Sequence, residues 1–197
     1  EWHHVLCTIN QDSQIAIILD GSTEATTSLP AGTFIDSNSD LRIGYNQVGS
    51  AHYYFNGEIS EVALFDYLAS GATLYGSTKT GAGNPMALKP TPVGYWPLGD
   101  NSASDPLAQP NVAVEDASVF DFDGSTDYIN CGNSILSGET ALSISAWVKP
   151  TAYGSASAES FVSTDAASPR AFYLGLFNST NFRFSLSTNG TTLTSLD

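Results

Sequence analysis

The chain has 197 residues, 42% hydrophobic and only 13% charged, and six Lys and Arg stand against 20 Asp and Glu for a formal charge of −14. That balance leaves no basic patch to neutralise phosphates, so nucleic acid and anionic membranes are excluded as expected partners. The length suffices for one sizeable core, and no run approaches the roughly 20 apolar residues of a bilayer-spanning helix, so no membrane insertion is expected.

The first run, WHHVLCTI, has no Gly or Pro and stops at the turn-prone NQD, which marks a strand. Successive strand side chains point to opposite faces, so His3 and His4 diverge and do not form a metal pair. Val5, Cys7 and Ile9 are expected on one face, His4, Leu6 and Thr8 on the other. The run QIAIILDG ends in Asp20-Gly21, a hairpin dipeptide, and LRIGY, AHYYFNG and EISEVALFD follow as further strands. Within LASGATLY, Ser70 is placed to cap one or two helical turns. Residues 76 to 92 mix Gly, Pro and polar residues without periodicity, as a linker does. Strands resume with GYWPLGD, SVFDFDG, DYINCG, LSISAWVKP, SFVSTD, AFYLGLF and FRFSLST.

This succession of short strands with turn signals and no long helical period predicts an all-β, antiparallel jelly-roll sandwich. Trp96 and Trp147 sit inside apolar strands and are expected in the core. Cys7 and Cys131 read as buried free thiols, with a disulfide between them as the alternative. The opening EWHHV has neither the basic leader nor the apolar core of a signal peptide, and it begins inside a strand. The chain is therefore expected to be a piece of a longer polypeptide or a processed product. Two sequons, at Asn178 and Asn189, matter only if a eukaryote secretes it.

The runs FDFDGSTDYINCGN and ALSISAWVKPTAYG, with WHHV, ILDG, LRIGY and FNGEISEVALFDYLAS, resemble laminin-G-like domains of the concanavalin A-like lectin/glucanase superfamily. In that family the GYWPL-to-WVKP part precedes the WHHV-to-ISEV part, whereas here the order is reversed. Residues 1–80 thus resemble a C-terminal half and residues 93–197 an N-terminal half, joined by a Gly/Pro linker at 81–92. Either the chain is a window on a tandem array, or the halves complete one permuted sandwich. A half jelly roll exposes unpaired edges and half a core, which favours completion within the chain.

The resemblance implies a carbohydrate-binding or adhesion module on the outside of a cell or virion. The superfamily's glucanases carry a strand motif of two Glu flanking an Asp, and the nearest match here is Glu58-Ile59-Ser60-Glu61-Val62-Ala63, where Ser60 replaces the Asp and Ala63 the second Glu. Glu58 and Glu61 have opposite strand parity, so a retaining pair about 5 to 5.5 Å apart requires a bulge between them. His3, His4 and His52 lack a nucleophile elbow. A non-catalytic protein is expected.

Calcium is the candidate cofactor, through Asp121, Asp123 and Asp127 in the turn DFDGSTD, with a plain hairpin cap as the alternative reading of the same residues. The family's calcium Asp corresponds to Ser60, which speaks against inheriting that site. Pyranose rings stack on aromatic faces and need directional polar partners. Tyr45, Tyr53, Tyr54, Tyr153 and Phe177, with Asn46, Asn178 and Asn181, are the candidate glycan residues. The expected partner is a glycan or surface protein. The alternative is a structural role among copies of itself or other virion subunits, because PVGYWPLGD is similar to runs in marine phage fibre and capsid-decoration proteins.

Overall fold

Alternation sets the layers. In β1 (His3–Asn10), Val5, Cys7 and Ile9 point into the main core while Leu6 points to the opposite face, as the run WHHVLCTI predicts. The computed structural model describes residues 1–10, 13–29, 39–75, 85–98, 119–133, 140–151, 158–164, 172–178, 181–187 and 193–197. Beyond β1 come β2 (Gln14–Leu19), β3 (Ser22–Ser28), β4 (Arg42–Ile43), β5 (Tyr45–Val48), β6 (Ala51–Tyr54) and β7 (Asn56–Phe65). A short helix α1 (Gly71–Tyr75) and a 3-10 turn (Pro85–Ala87) precede β8 (Gly94–Trp96), β9 (Phe120–Asp123) and β10 (Ile129–Asn130). The last five strands are β11 (Ala141–Pro150), β12 (Ala158–Ser163), β13 (Phe172–Phe177), β14 (Asn181–Ser187) and β15 (Leu193–Leu196).

Two sheets stack. One has seven strands in the order β3-β2-β1-β11-β7-β8, with β9 also on β7; the other has six, β10-β4-β12-β13-β14-β15. All pairings are antiparallel, and the core between the sheets draws on both, from Val5, Ile59 and Val148 to Phe161, Leu174 and Phe184. This is the jelly-roll sandwich that the strand pattern predicts. Each sheet alternates between the two parts of the chain. β11 lies between β1 and β7, and β4 lies between β10 and β12. Neither part completes either sheet without the other.

Local chemistry explains the turns. Asp20 and Gly21, at φ 49° and 79°, join β2 to β3 in the paired left-handed conformation that suits a tight hairpin. Ser70 starts α1, its carbonyl accepting from the Thr73 and Leu74 N–H groups. The helix lays Leu74 on the outer face of the larger sheet, beside Leu6, Ile18, Ala63 and Phe65. Part of the stretch expected as a linker is built into this layer. Leu88 packs on the same cluster, and the Val93 N–H donates to the Leu64 carbonyl. Trp147 is buried, yet not in the core expected for it: it lies on this outer face, with Tyr75 stacked 5.8 Å away. Trp96 is half-buried at the β8 edge and touches the main core. Both cysteines are free thiols, Cys7 in the core and Cys131 half-buried against it.

Candidate aromatic binding site

Beyond β4 the chain turns at Gly44, whose φ of +82° suits glycine and whose added Cβ would lie 2.4 Å from the Phe122 ring. The turn launches the hairpin β5–β6, which is anchored to β12: the Gly44 N–H donates to the Phe161 carbonyl, and the Ser163 hydroxyl to the Tyr45 carbonyl. In the hairpin register Tyr45 faces Tyr54 and Gln47 faces His52, which puts all four on one side. Tyr45 is the hub. Its ring lies 4.7 Å from Tyr54 and 4.9 Å from Tyr128, and the Arg42 guanidinium stands 5.4 Å from its centroid. Tyr45 is buried beneath these neighbours, whereas Tyr54 is half-buried and His52 and Tyr128 are exposed.

Hydrogen bonds lock the patch. Gln47 donates through Nε2 to the Gly49 carbonyl, which turns its Oε1 towards the Tyr45 hydroxyl 3.1 Å away. Tyr45 donates its one hydroxyl hydrogen there. Its oxygen then accepts from His52 Nδ1, at 2.7 Å, which leaves Nε2 as the ring's other polar atom. The outcome is an aromatic surface with an imidazole and a guanidinium donor.

The other expected glycan residues are scattered. Asn46 and Tyr53 pair on the opposite side of the hairpin, where Asn46 is buried and its Oδ1 meets no hydrogen-bond donor among the described residues. Phe177 pairs with Asn181 at the β13–β14 turn, and its ring is covered by the Arg183 guanidinium, 3.3 Å from the centroid, which Asp197 holds in an ion pair. Asn178 occupies the turn itself at φ 50°. Tyr153 and the remaining sequon residues 179–180 and 189–191 lie outside the described residues. Arg42, Gln47, His52 and Tyr128 were absent from the expected set. Hairpin parity alone points to Gln47 and His52, and Arg42 is three residues from Tyr45, but Tyr128 arrives only through the β10–β4 pairing of segments distant in the chain.

The Asp turn does not fit a calcium cage. Asp123 Oδ1 accepts from the N–H groups of Ser125, Thr126 and Asp127, and Oδ2 accepts from the Thr126 hydroxyl. Those donors, the Thr126 and Ser125 N–H groups first, hold its carboxyl down at about 2. A cation would face the positive ends of the same donors. Asp127 in turn accepts from the Asp123 N–H, and Asp121 pairs with Glu58 on β7. Among the described residues no group of three His, Cys, Asp or Glu converges on a metal position. The hairpin-cap arrangement accounts for these hydrogen bonds.

Acid and nucleophile pairs are equally committed. The bulge that the sequence lacked a signal for is present, with the register slipping opposite Ser145 and Trp147 and Glu61 at φ 54°. It breaks the simple parity between Glu58 and Glu61. Yet Lys149 binds Glu58 at 3.0 Å, and the Tyr95 hydroxyl donates to Glu61, whose carboxyl burial pushes up. His4 Nε2 lies 2.9 Å from the Ser145 hydroxyl, a geometry resembling a nucleophile and base. Both are sealed, at 1% and 2% exposure, and Asp20 serves the His4 backbone N–H and the His3 ring instead of His4 Nδ1. His3 turns the other way, edge-on to Phe182, so the two histidines diverge as expected.

A laminin-G-type family model, described as the concanavalin A-like lectin/glucanases superfamily, matches residues 1–74 and 123–197. No curated protein and no solved structure matches the chain. The two matched stretches are those whose strands interleave in both sheets, and superfamily membership supports a carbohydrate-binding or adhesion module in general terms. With most of its length matched and its strands stacked in two antiparallel sheets, the chain belongs to the concanavalin A-like lectin/glucanase superfamily, as a laminin-G-like domain.

Proposed function

We propose that this chain is a non-catalytic glycan-binding or adhesion module of a larger extracellular or virion-surface protein, and that its ligand face is the aromatic patch of the β5–β6 hairpin. One observation carries the reading: Tyr45, Tyr54, Tyr128 and His52 meet in a surface cluster whose hub, the Tyr45 hydroxyl, is hydrogen-bonded to His52 and Gln47. Flat rings supply stacking area for pyranose C–H faces, and fixed rotamers reduce the entropy lost on binding. The non-catalytic part of the reading rests on the Glu58–Lys149 and Glu61–Tyr95 pairs and on the sealed His4–Ser145 pair.

We further read the two chain segments as closing one sandwich within a single copy, since β11 and β4 fill central positions in sheets shared with the other segment. Light scattering with a glycan array on the same sample tests both points. A monomer with glycan signal lost in Tyr54→Ala and Tyr128→Ala supports them. An obligate multimer without glycan signal overturns them and favours the structural assembly role.

A further inference from the structure

We propose that the patch selects carboxylated sugars, with Arg42 as the carboxylate-binding group; this rests on the glycan reading of the hairpin. Acidic groups outnumber basic ones 20 to six in the chain, so a cation near the surface has ample choice of carboxylates. Lys149 takes Glu58, and Arg183 takes Asp197. Arg42 pairs with no carboxylate among the described residues, and it stands over the Tyr45 ring in the middle of the aromatic patch. Lys89 also lacks one, but it stands exposed in a turn away from this cluster.

The nearest acid in sequence, Asp40, accepts from the Asn130 side chain at 2.7 Å, and no ion pair between it and the guanidinium is present among the described residues. The guanidinium is half-buried and presents a planar fork of donors that matches a carboxylate bidentately. His52, whose Nδ1 bonds the Tyr45 hydroxyl and whose ring stacks 6.0 Å from Tyr45, offers Nε2 to a sugar hydroxyl. Tyr54 and Tyr128 offer the ring faces. The net charge of −14 repels a polyanion at long range, so selection comes from contact at Arg42 and not from the field of the whole chain. A hexuronate presents this combination in one residue: a pyranose face, hydroxyls and one carboxylate.

The test is calorimetric titration of the full chain with a panel of hexuronate hexasaccharides, each alongside its methyl ester, which keeps the rings and removes the charge. The expected result is at least one pair in which the acid binds about tenfold more tightly than the ester, a difference of about 1.4 kcal/mol. Arg42→Gln should abolish that preference while stacking-driven binding of the ester persists. Arg42→Lys, which keeps the charge and loses the fork, should retain only part of it. Thermal melts of both variants verify folding. Equal binding of acid and ester, or a preference that survives Arg42→Gln, overturns the acidic assignment and leaves the glycan reading standing. Binding of neither form, with signal from neutral glycans on an array, does the same. No binding to any glycan overturns both.

Discussion

Two clusters in this molecule contain nearly the same residue types and do opposite things. On the outer face of the larger sheet, His4, Trp147 and Tyr75 stack around the Ser145 hydroxyl under α1. On the hairpin, His52, Tyr45, Tyr54 and Tyr128 gather beside Arg42. The first is closed at His4 and Trp147, with the half-buried Tyr75 over them, and burial pushes the His4 imidazole down to about 4. The second keeps its rim exposed, with Tyr128 at 48%. Residue identity alone does not separate a packing cluster from a binding surface. What separates them is whether another element has already taken the aromatic faces.

Truncation should break the comparison most sharply. Trp147→Ala opens a cavity beneath Tyr75 and is expected to cost about 3 to 5 kcal/mol in denaturant unfolding. Tyr128→Ala should stay within about 0.5 kcal/mol, as surface substitutions do. Equal losses at the two positions would mean the patch is a structural cluster as well.

The next largest effect is a pH dependence owned by the closed cluster. The folded-state value of His4 lies near 4, below its ordinary 6.5, so between those limits the unfolded chain binds more protons and stability rises with pH. That contribution is complete above about pH 6.5 and is lost as the pH falls towards 4, an effect on the order of 3 kcal/mol. Glu61, raised by burial, acts in the opposite sense across the carboxylate range. His4→Gln should flatten the slope between pH 4 and 6.5 in chemical denaturation.

Binding effects are smaller in energy but confined to the open cluster. Tyr54→Ala and Tyr128→Ala should each weaken a glycan hit about tenfold, near 1.4 kcal/mol, with Trp147 left intact. The smallest expected effect is none at all. Calcium or a chelator should leave the melting temperature unchanged, because the Asp123 carboxylate already accepts the turn's own donors.

How much of this was readable beforehand follows from the range of the interactions involved. Apolar alternation made most strands legible, β1, β7, β11 and β13 among them, together with the hairpin at Asp20-Gly21. β3, of sequence STEATTS, and β15 were not, because edge strands with mostly solvent-facing polar residues carry little pattern. Tyr45 and Tyr54 were legible as glycan candidates; Arg42 was within reach, three residues before Tyr45, whereas Tyr128 joins them only through the non-local β10–β4 pairing. At Phe177 nothing local announces that Arg183, on the next strand, covers its ring. The bulge at Glu61 was equally hidden, being a left-handed conformation on a residue that seldom adopts one.

The most direct measurement is ring-selective NMR of tyrosine and histidine during titration with a glycan identified on the array. Docking on the hairpin predicts saturable shifts at Tyr54, Tyr128 and His52, while Tyr75, Tyr95 and His4 stay in place. Shifts centred on His4 and Tyr75, or binding that leaves every hairpin ring unmoved, would contradict the assignment of the ligand face.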